Sequence, residues 1–480
     1  MLSLRTEKFP FTTQTTICTD KFLNSSKLAY FRLNINETTE RWIITVATKV
    51  SRMKRTLAGI LSCATLVSSL SLTSTAVSAE ATTDTSAGQS EESTTDSSVS
   101  GITITGMEGK YSTYYNSHKD AAKPKKEITI YATDYKEGTI DGTSFVNNVS
   151  EMTAEQAAVI APAVEEITQK SGDGFNGIKA FLAEDTDLKT DHYSTLKWKS
   201  DKLALKYEFN VEETGLYNLE AIYYPIEGSE SKNTVLDIGL KIDGEYPFTA
   251  AQDITLDRYW KDEGEITRDN KDNDLRPGQV TYDCWIKYPI KDKEGLYNEP
   301  YYFYLEKGKH TMTLEGIRTY GVFHSFTFKN YDELVSYDSI KPTDDELQNT
   351  PALSSKNEEL GTNTIFLQAE EAAYKTASTL YATYDRTTYM TNPNHPTKQR
   401  YNTIGQATWN KATQAITYKF KVENDGYYRF NFKARQNQMR GFFSNRRIYI
   451  DGKVPCKELD DVRFIYSCLL YTSPSPRDRS

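Results

Sequence analysis

Cysteine and histidine are scarce in this chain, at five residues each among 480. No Cys-x-x-Cys, His-Glu-x-x-His or Gly-x-Ser-x-Gly pattern occurs, and no glycine-rich loop ends in Lys-Ser or Lys-Thr. The histidines, His118, His192, His310, His324 and His395, are scattered, so no enzyme constellation is visible. Carboxylate pairs are plentiful, but among 66 acids they say nothing about glycosidase geometry. Positive charge is also in deficit. Fifty-seven Lys and Arg against 66 Asp and Glu leave a net charge of −9, which argues against nucleic acid or anionic lipid as partner. No apolar run reaches the roughly 20 residues of a membrane span. Helix-period stretches are few.

What the chain has is a repeat. Ala204-Leu205-Lys206-Tyr207-Glu208-Phe209-Asn210-Val211-Glu212-Glu213-Thr214-Gly215-Leu216-Tyr217 recurs as Ala415-Ile416-Thr417-Tyr418-Lys419-Phe420-Lys421-Val422-Glu423-Asn424-Asp425-Gly426-Tyr427-Tyr428. Further on, Ile242-Asp243-Gly244 followed by Pro247 recurs as Ile450-Asp451-Gly452 followed by Pro455. Two copies of one supersecondary pattern imply two domains of one architecture. Tyr207, Phe209 and Val211 alternate with Glu208 and Asn210, the two-residue period of a half-buried strand. Gly215 and Gly426 then read as hairpin reversals, and Asp243-Gly244 and Asp451-Gly452 as a second pair of tight turns. Aromatics are 12% of residues and 33 are Tyr, a bias that suits pleated, half-buried surfaces. The expectation is an all-β fold of two tandem antiparallel jelly-roll sandwiches, like carbohydrate-binding modules. One helix is expected as an insertion near 153–169, opened by the capping-box pattern Thr153-Ala154-Glu155-Gln156 and shortened or kinked by Pro162.

The ends read differently from the middle. Met53-Lys54-Arg55, the Ser-diluted apolar run Leu57 to Leu72 and the small residues Val77-Ser78-Ala79 form the three parts of a secretory signal peptide over 53–79. Residues 1–52 are then expected to be upstream sequence. Ile60-Leu61-Ser62-Cys63 faintly resembles a lipoprotein box, so anchoring at Cys63 and release both stay open. Residues 80–110 are Ser/Thr/Glu-rich and read as a disordered tether. Module one is expected over 111–335, a linker over 336–362 and module two over 363–466. The tail from 467 to 480 resembles translated sequencing-adapter sequence. Module two is expected to be incomplete, because three strands follow the Asp243-Gly244 turn in the first copy and only a short stretch follows Asp451-Gly452. Its edges would then lie open. Cys284 and Cys456, one per module, are expected as lone buried thiols.

Several landmarks carry a family resemblance. They are Tyr217 to Gly228, Arg258-Tyr259-Trp260-Lys261-Asp262 with Arg268 to Pro277, Lys307-Gly308-Lys309-His310-Thr311, and Tyr384-Asp385-Arg386 with Asn402-Thr403-Ile404-Gly405. Together they resemble the N-terminal region of large extracellular solute-binding proteins (family 1 type) of Gram-positive bacteria. There, two carbohydrate-binding-like sandwiches precede the α/β substrate-binding domain of a sugar ABC importer. The resemblance covers about Tyr111 to Tyr466 and does not extend to that substrate-binding domain. It implies a secreted or surface-attached, non-catalytic protein whose partners are glycans or oligosaccharides and, through the absent domain, an importer permease. A binding region of a secreted glycoside hydrolase and a structural spacer or adhesin stalk are the alternatives.

A sugar site needs a flat aromatic face together with planar hydrogen-bonding groups. Arg258, Trp260, Arg268, Asp269, Asn270 and Arg276, with Trp285 nearby in sequence, supply both, and so do Tyr384, Asp385, Arg386, Arg400 and Trp409 in module two. The competing reading is a long loop pinned over the sandwich by an Arg–Asp network, with Trp260 as its apolar anchor. No cofactor is required. A structural calcium is entertained at Glu370 and Glu371, after the first strand of module two, and at their counterpart Asp134. Asn270, Asp272 and Asp274 have the oxygen spacing of a calcium loop but lack its Gly and bidentate Glu.

Overall fold

The computed structural model describes residues 2–5, 30–33, 42–49, 109–147, 153–168, 192, 194–227, 235–349, 364–387, 391–422, 426–437, 440–467 and 471–472. The signal peptide, nearly all of the tether, and Cys18, Cys63 and Cys468 lie outside them, as does linker segment 350–363. The architecture is all-β, and every ladder pairing two strands is antiparallel.

Module one is two facing sheets. One orders Ile286–Pro289, Gly215–Pro225, Tyr320–Lys329, Ser194–Lys199 and Val164–Thr168, with Tyr302–Leu305 and Ile128–Tyr131 pairing at its centre. The other orders Ile254–Leu256, Leu236–Ile242, Gly308–Arg318, Leu203–Val211, Glu137–Ile140 and Thr143–Val146. Tyr207, Leu240 and Leu314 from one face meet Tyr217, Phe303, Phe326 and Phe328 from the other, all essentially inaccessible. Each such side chain contributes roughly 1.5–3 kcal/mol of burial, enough to hold the layers together without disulfides. Cys284 and Cys456 are free and buried.

The turn at Gly215 is a correction. Leu203–Val211 and Gly215–Pro225 do not pair as a hairpin but lie in opposite sheets. Period-two alternation marks each strand as half-buried without saying which partner it takes. The chain crosses the core edge at Gly215, where a Cβ would stand 2.5 Å from the Ala122 carbonyl oxygen. The Asp243-Gly244 and Asp451-Gly452 turns do form, with φ of 51° and 87° in the first and 49° and 76° in the second. Each is closed by a bridge, Ile242 to Glu245 and Ile450 to Lys453. The expected helix is shorter than its spacing suggests. Thr153 and Gln156 form the reciprocal capping box, but the helix ends at Ile160, and Val164–Thr168 is a strand paired with Ser194–Lys199. Pro162, two residues beyond Ile160, cannot continue the helical ladder.

Module two repeats the scheme. Thr364–Leu367, Ala415–Phe420, Gly426–Ala434 and Phe443–Ile450 take the places of Ile128–Tyr131, Leu203–Val211, Gly215–Pro225 and Leu236–Ile242. Between and beside them lie three N-terminal strands, from the segment expected to be upstream sequence. Leu2–Arg5 sits between Gly426–Ala434 and Thr364–Leu367, Tyr30–Leu33 flanks Gly426–Ala434, and Trp42–Lys49 sits between Ala415–Phe420 and Phe443–Ile450. A separate core of Phe420, Val422, Tyr428, Phe430, Ile448, Ile450 and Cys456 fills this module.

Candidate functional site

The stretch from Arg258 to Asp283 leaves module one as a long hairpin, Tyr259–Asp262 against Gln279–Tyr282, tipped by a smaller one, Thr267–Arg268 against Asp274–Leu275. Its destination was not legible in the sequence. Trp260 pairs with Lys375, so the hairpin adds two strands to the sheet of module two. Tyr374 lies between Tyr259 and Tyr282, with ring centroids 4.9 and 4.8 Å away and planes nearly parallel. Lys375 is fully buried and donates to Asp262 Oδ1 at 2.6 Å. Burial pulls its ammonium pKa down while the Asp262 carboxylate holds it up.

At the tip, Asp274 is the hub. Its Oδ1 accepts from Arg400 Nη1 at 3.2 Å and Arg268 Nε at 3.3 Å, and its Oδ2 from the Tyr401 amide at 2.9 Å. Arg400 also donates to Asp272 Oδ2 at 2.6 Å, a bond that holds the Asp272 carboxyl below its usual range. Asp269 accepts the amides of Lys271 and Asn273 at 2.8 Å, shaping the turn and lowering its own pKa, chiefly through Asn273. Arg276 stacks over Tyr381, 3.8 Å from its centroid. The oxygens of Asp272 and Asp274 with calcium-loop spacing are thus engaged by guanidinium groups and the Tyr401 amide. Trp260, Arg268 and Arg276 of the first predicted sugar set belong to a latch between modules. Asn270 remains exposed beside it.

The remaining members scatter. Arg258 is buried and donates to the Ile226 carbonyl. Trp285 is buried against Tyr224 and Val322 and presents no face to a ligand. In module two Asp385 is buried, accepting from the Thr387 amide and hydroxyl at 2.8 and 2.6 Å and pairing with Arg435 at 2.5 Å. Trp409 is half-buried under the Arg446 guanidinium, 4.3 Å from its ring. Only Tyr384 and Arg386 stand out to solvent together, with the guanidinium 5.4 Å from the ring centroid. Arg400 belongs to the latch.

Among the described residues, no three His, Cys, Asp or Glu side chains gather as a metal-holding group. Asp134 and Glu371 are exposed, whereas Glu370 is buried. Burial, with Glu371 adding repulsion, pushes the Glu370 carboxyl up to about 7.

One concave surface went unnoticed in the sequence. On the outer face of the six-stranded sheet of module one lies an open cleft of about 320 Å³. Thr139, Ser144, Lys206 and Thr313 line it with Val146 and Gln156, the last reaching over from the capped helix to donate to the Ser144 carbonyl at 3.0 Å. Lys206 pairs with Glu137 at 3.4 Å at one side. The signal available was the polar half of the alternation in Leu203–Val211 and Gly308–Arg318.

No protein-family model matches the chain, and no curated protein matches it in sequence. Among solved structures it is similar to a Podospora anserina β-(1,4)-mannanase of glycoside hydrolase family 26 with a family 35 carbohydrate-binding module. The identity is 10% and the TM-score 0.21, over 44% of this chain and 29% of that one. An exo-β-1,3-galactanase of Phanerochaete chrysosporium matches at 8% identity and TM-score 0.21, over 43% and 29% of the two chains. A family 35 carbohydrate-binding module of Clostridium thermocellum matches at 9% identity and TM-score 0.16, over 29% of this chain and 79% of that one. The chain spans under a third of the mannanase and galactanase. No helix among the described residues is long and apolar enough to cross a membrane.

Proposed function

We propose that this chain is a non-catalytic, carbohydrate-associated binding region that works outside the cell, within a solute-binding protein of a sugar ABC importer. The landmarks of Tyr217–Gly228, Arg258–Pro277 and Tyr384–Gly405 support the importer parentage through the resemblance they carry. The observation that carries the binding role is the cleft over Thr139, Ser144, Lys206 and Thr313. Hydroxyl, amide and ammonium groups there face the same opening as the exposed Val146 side chain, the mix that a sugar's hydroxyls and C–H face require. The latch would hold the two sandwiches as one stiff unit, presenting that cleft at a set distance from whatever follows.

A glycan-array screen of the full chain tests this, with Lys206→Ala and Thr313→Ala beside Trp260→Ala. Binding lost in the first two and kept in the third places the sugar in the cleft. Binding lost only with Trp260→Ala would move it to the latch. A folded chain that binds no glycan would favour a spacer.

A further inference from the structure

We propose that the slot between Ala415–Phe420 and Phe443–Ile450 is a strand-binding site, and that residues 42–49 are its donor strand in the chain that still carries its N-terminal segment; cleavage of the leader read over 53–79 would remove that strand and vacate the slot. The argument is register. In module one, Gly308–Arg318 fills the equivalent slot, with Met312 opposite Tyr207 and Ile242, and Leu314 opposite Leu205 and Leu240. In module two, Ile44 lies opposite Tyr418 and Ile450, and Val46 opposite Ile416 and Ile448. By the sequence repeat, those partners are the counterparts of Tyr207, Ile242, Leu205 and Leu240. Ile44 therefore takes the place of Met312, Val46 that of Leu314, and Thr45 that of Thr313, against both neighbours at once.

The other two N-terminal strands keep register as well. Leu33 meets Gly426 as Leu305 meets Gly215, and Phe31 meets Tyr428 as Phe303 meets Tyr217. Leu4 meets Phe430 as Phe328 meets Leu219. A one-residue slip in any ladder would exchange the two faces of the strand, so agreement in every ladder marks complementarity of pattern. Strand addition draws its affinity from main-chain hydrogen bonds and its selectivity from alternate side chains. The slot accordingly selects an apolar–Thr–apolar strand, and the chain provides one non-locally, joined to the rest of module two only through the intervening sequence.

Two variants of the full chain test this. Thr45→Cys with Tyr449→Cys joins residues placed opposite each other. Under mild oxidation, an intrachain disulfide between these positions, mapped by peptide mass spectrometry, is expected. Absence of that link, or a link formed only between two chains, would overturn the assignment to the chain's own strand. Ile44→Pro removes a ladder donor from a strand paired on both sides. Amide exchange across Ala415–Phe420 and Phe443–Ile450 should then accelerate at least tenfold, while Leu203–Val211 stays protected. A synthetic peptide of residues 40–50 added to this variant should restore the slow exchange, and one carrying the same proline should not. Unchanged exchange in Ile44→Pro, or no rescue by the wild-type peptide, would sink the proposal.

Discussion

Arg400 of the second module lies 3.2 Å from the carboxylate of Asp274 in the first, and both side chains are more than nine-tenths buried. The pair joins residues 126 positions apart, and Tyr401, Asp272 and Arg268 complete its hydrogen bonding. Removing one partner of a buried pair leaves an uncompensated charge, and that loss outweighs the modest net worth of the pair itself. Arg400→Ala should cost roughly 3 kcal/mol at the junction. Calorimetry should show it as two separated transitions where the native chain gives coupled ones.

The Glu370 carboxyl titrates near 7 in the folded chain, above its ordinary value of 4.5. Between those values the unfolded chain has released the proton while the folded chain still holds it. Stability contributed by this group is therefore lost as pH rises from about 4.5 to 7. Glu370→Gln should flatten that part of the stability–pH curve and raise stability at pH 8. Urea unfolding at pH 5 and 8 measures both.

At Gly215 the chain crosses from one sheet to the other against the Ala122 carbonyl and the Pro124 ring, both 2.5 Å from a built Cβ. Gly215→Ala should destabilise module one by about 1–3 kcal/mol through overpacking against backbone. Gly142→Ala is a contrast for space alone, since nothing stands within 4 Å there, though its φ of +80° carries its own strain. A shift in urea midpoint that is larger for Gly215 identifies the close approach.

The Tyr207 hydroxyl donates to the Ala132 carbonyl at 3.0 Å inside the core. Burial holds the phenol well above its usual range, so it stays protonated as a donor. Tyr207→Phe leaves that acceptor dry and should cost about 1–3 kcal/mol without changing the fold, read by thermal melts and near-ultraviolet circular dichroism.

Much of the fold was legible because strands carry their own signature. The alternation at Tyr207-Phe209-Val211, the Asp-Gly turns and the Thr153 capping box each depend on neighbours a few residues away, and each formed where expected. The Gly215 reversal was misread because alternation is blind to pairing partner. The Arg258–Arg276 stretch was read as a sugar site or a loop pinned by Arg–Asp pairs. The pairing network is what the structure contains, but its anchor lies on the other module, and no local pattern points to Lys375 or Arg400. The Thr139–Thr313 cleft was missed because its walls come from strands distant in sequence and one helix, each unremarkable alone.

By itself the sequence determined an all-β chain with two copies of one sandwich pattern, since side-chain alternation and glycine turns are local properties of a strand and its reversal. Only the tertiary structure decided which strands share a sheet, that a hairpin of module one enters the sheet of module two, and that N-terminal strands occupy the closing positions there. Those outcomes depend on backbone hydrogen bonds between segments far apart in the chain. Such bonds have the same chemistry for any residue, so the partner is chosen by the packing of whole faces and leaves no mark in either segment alone.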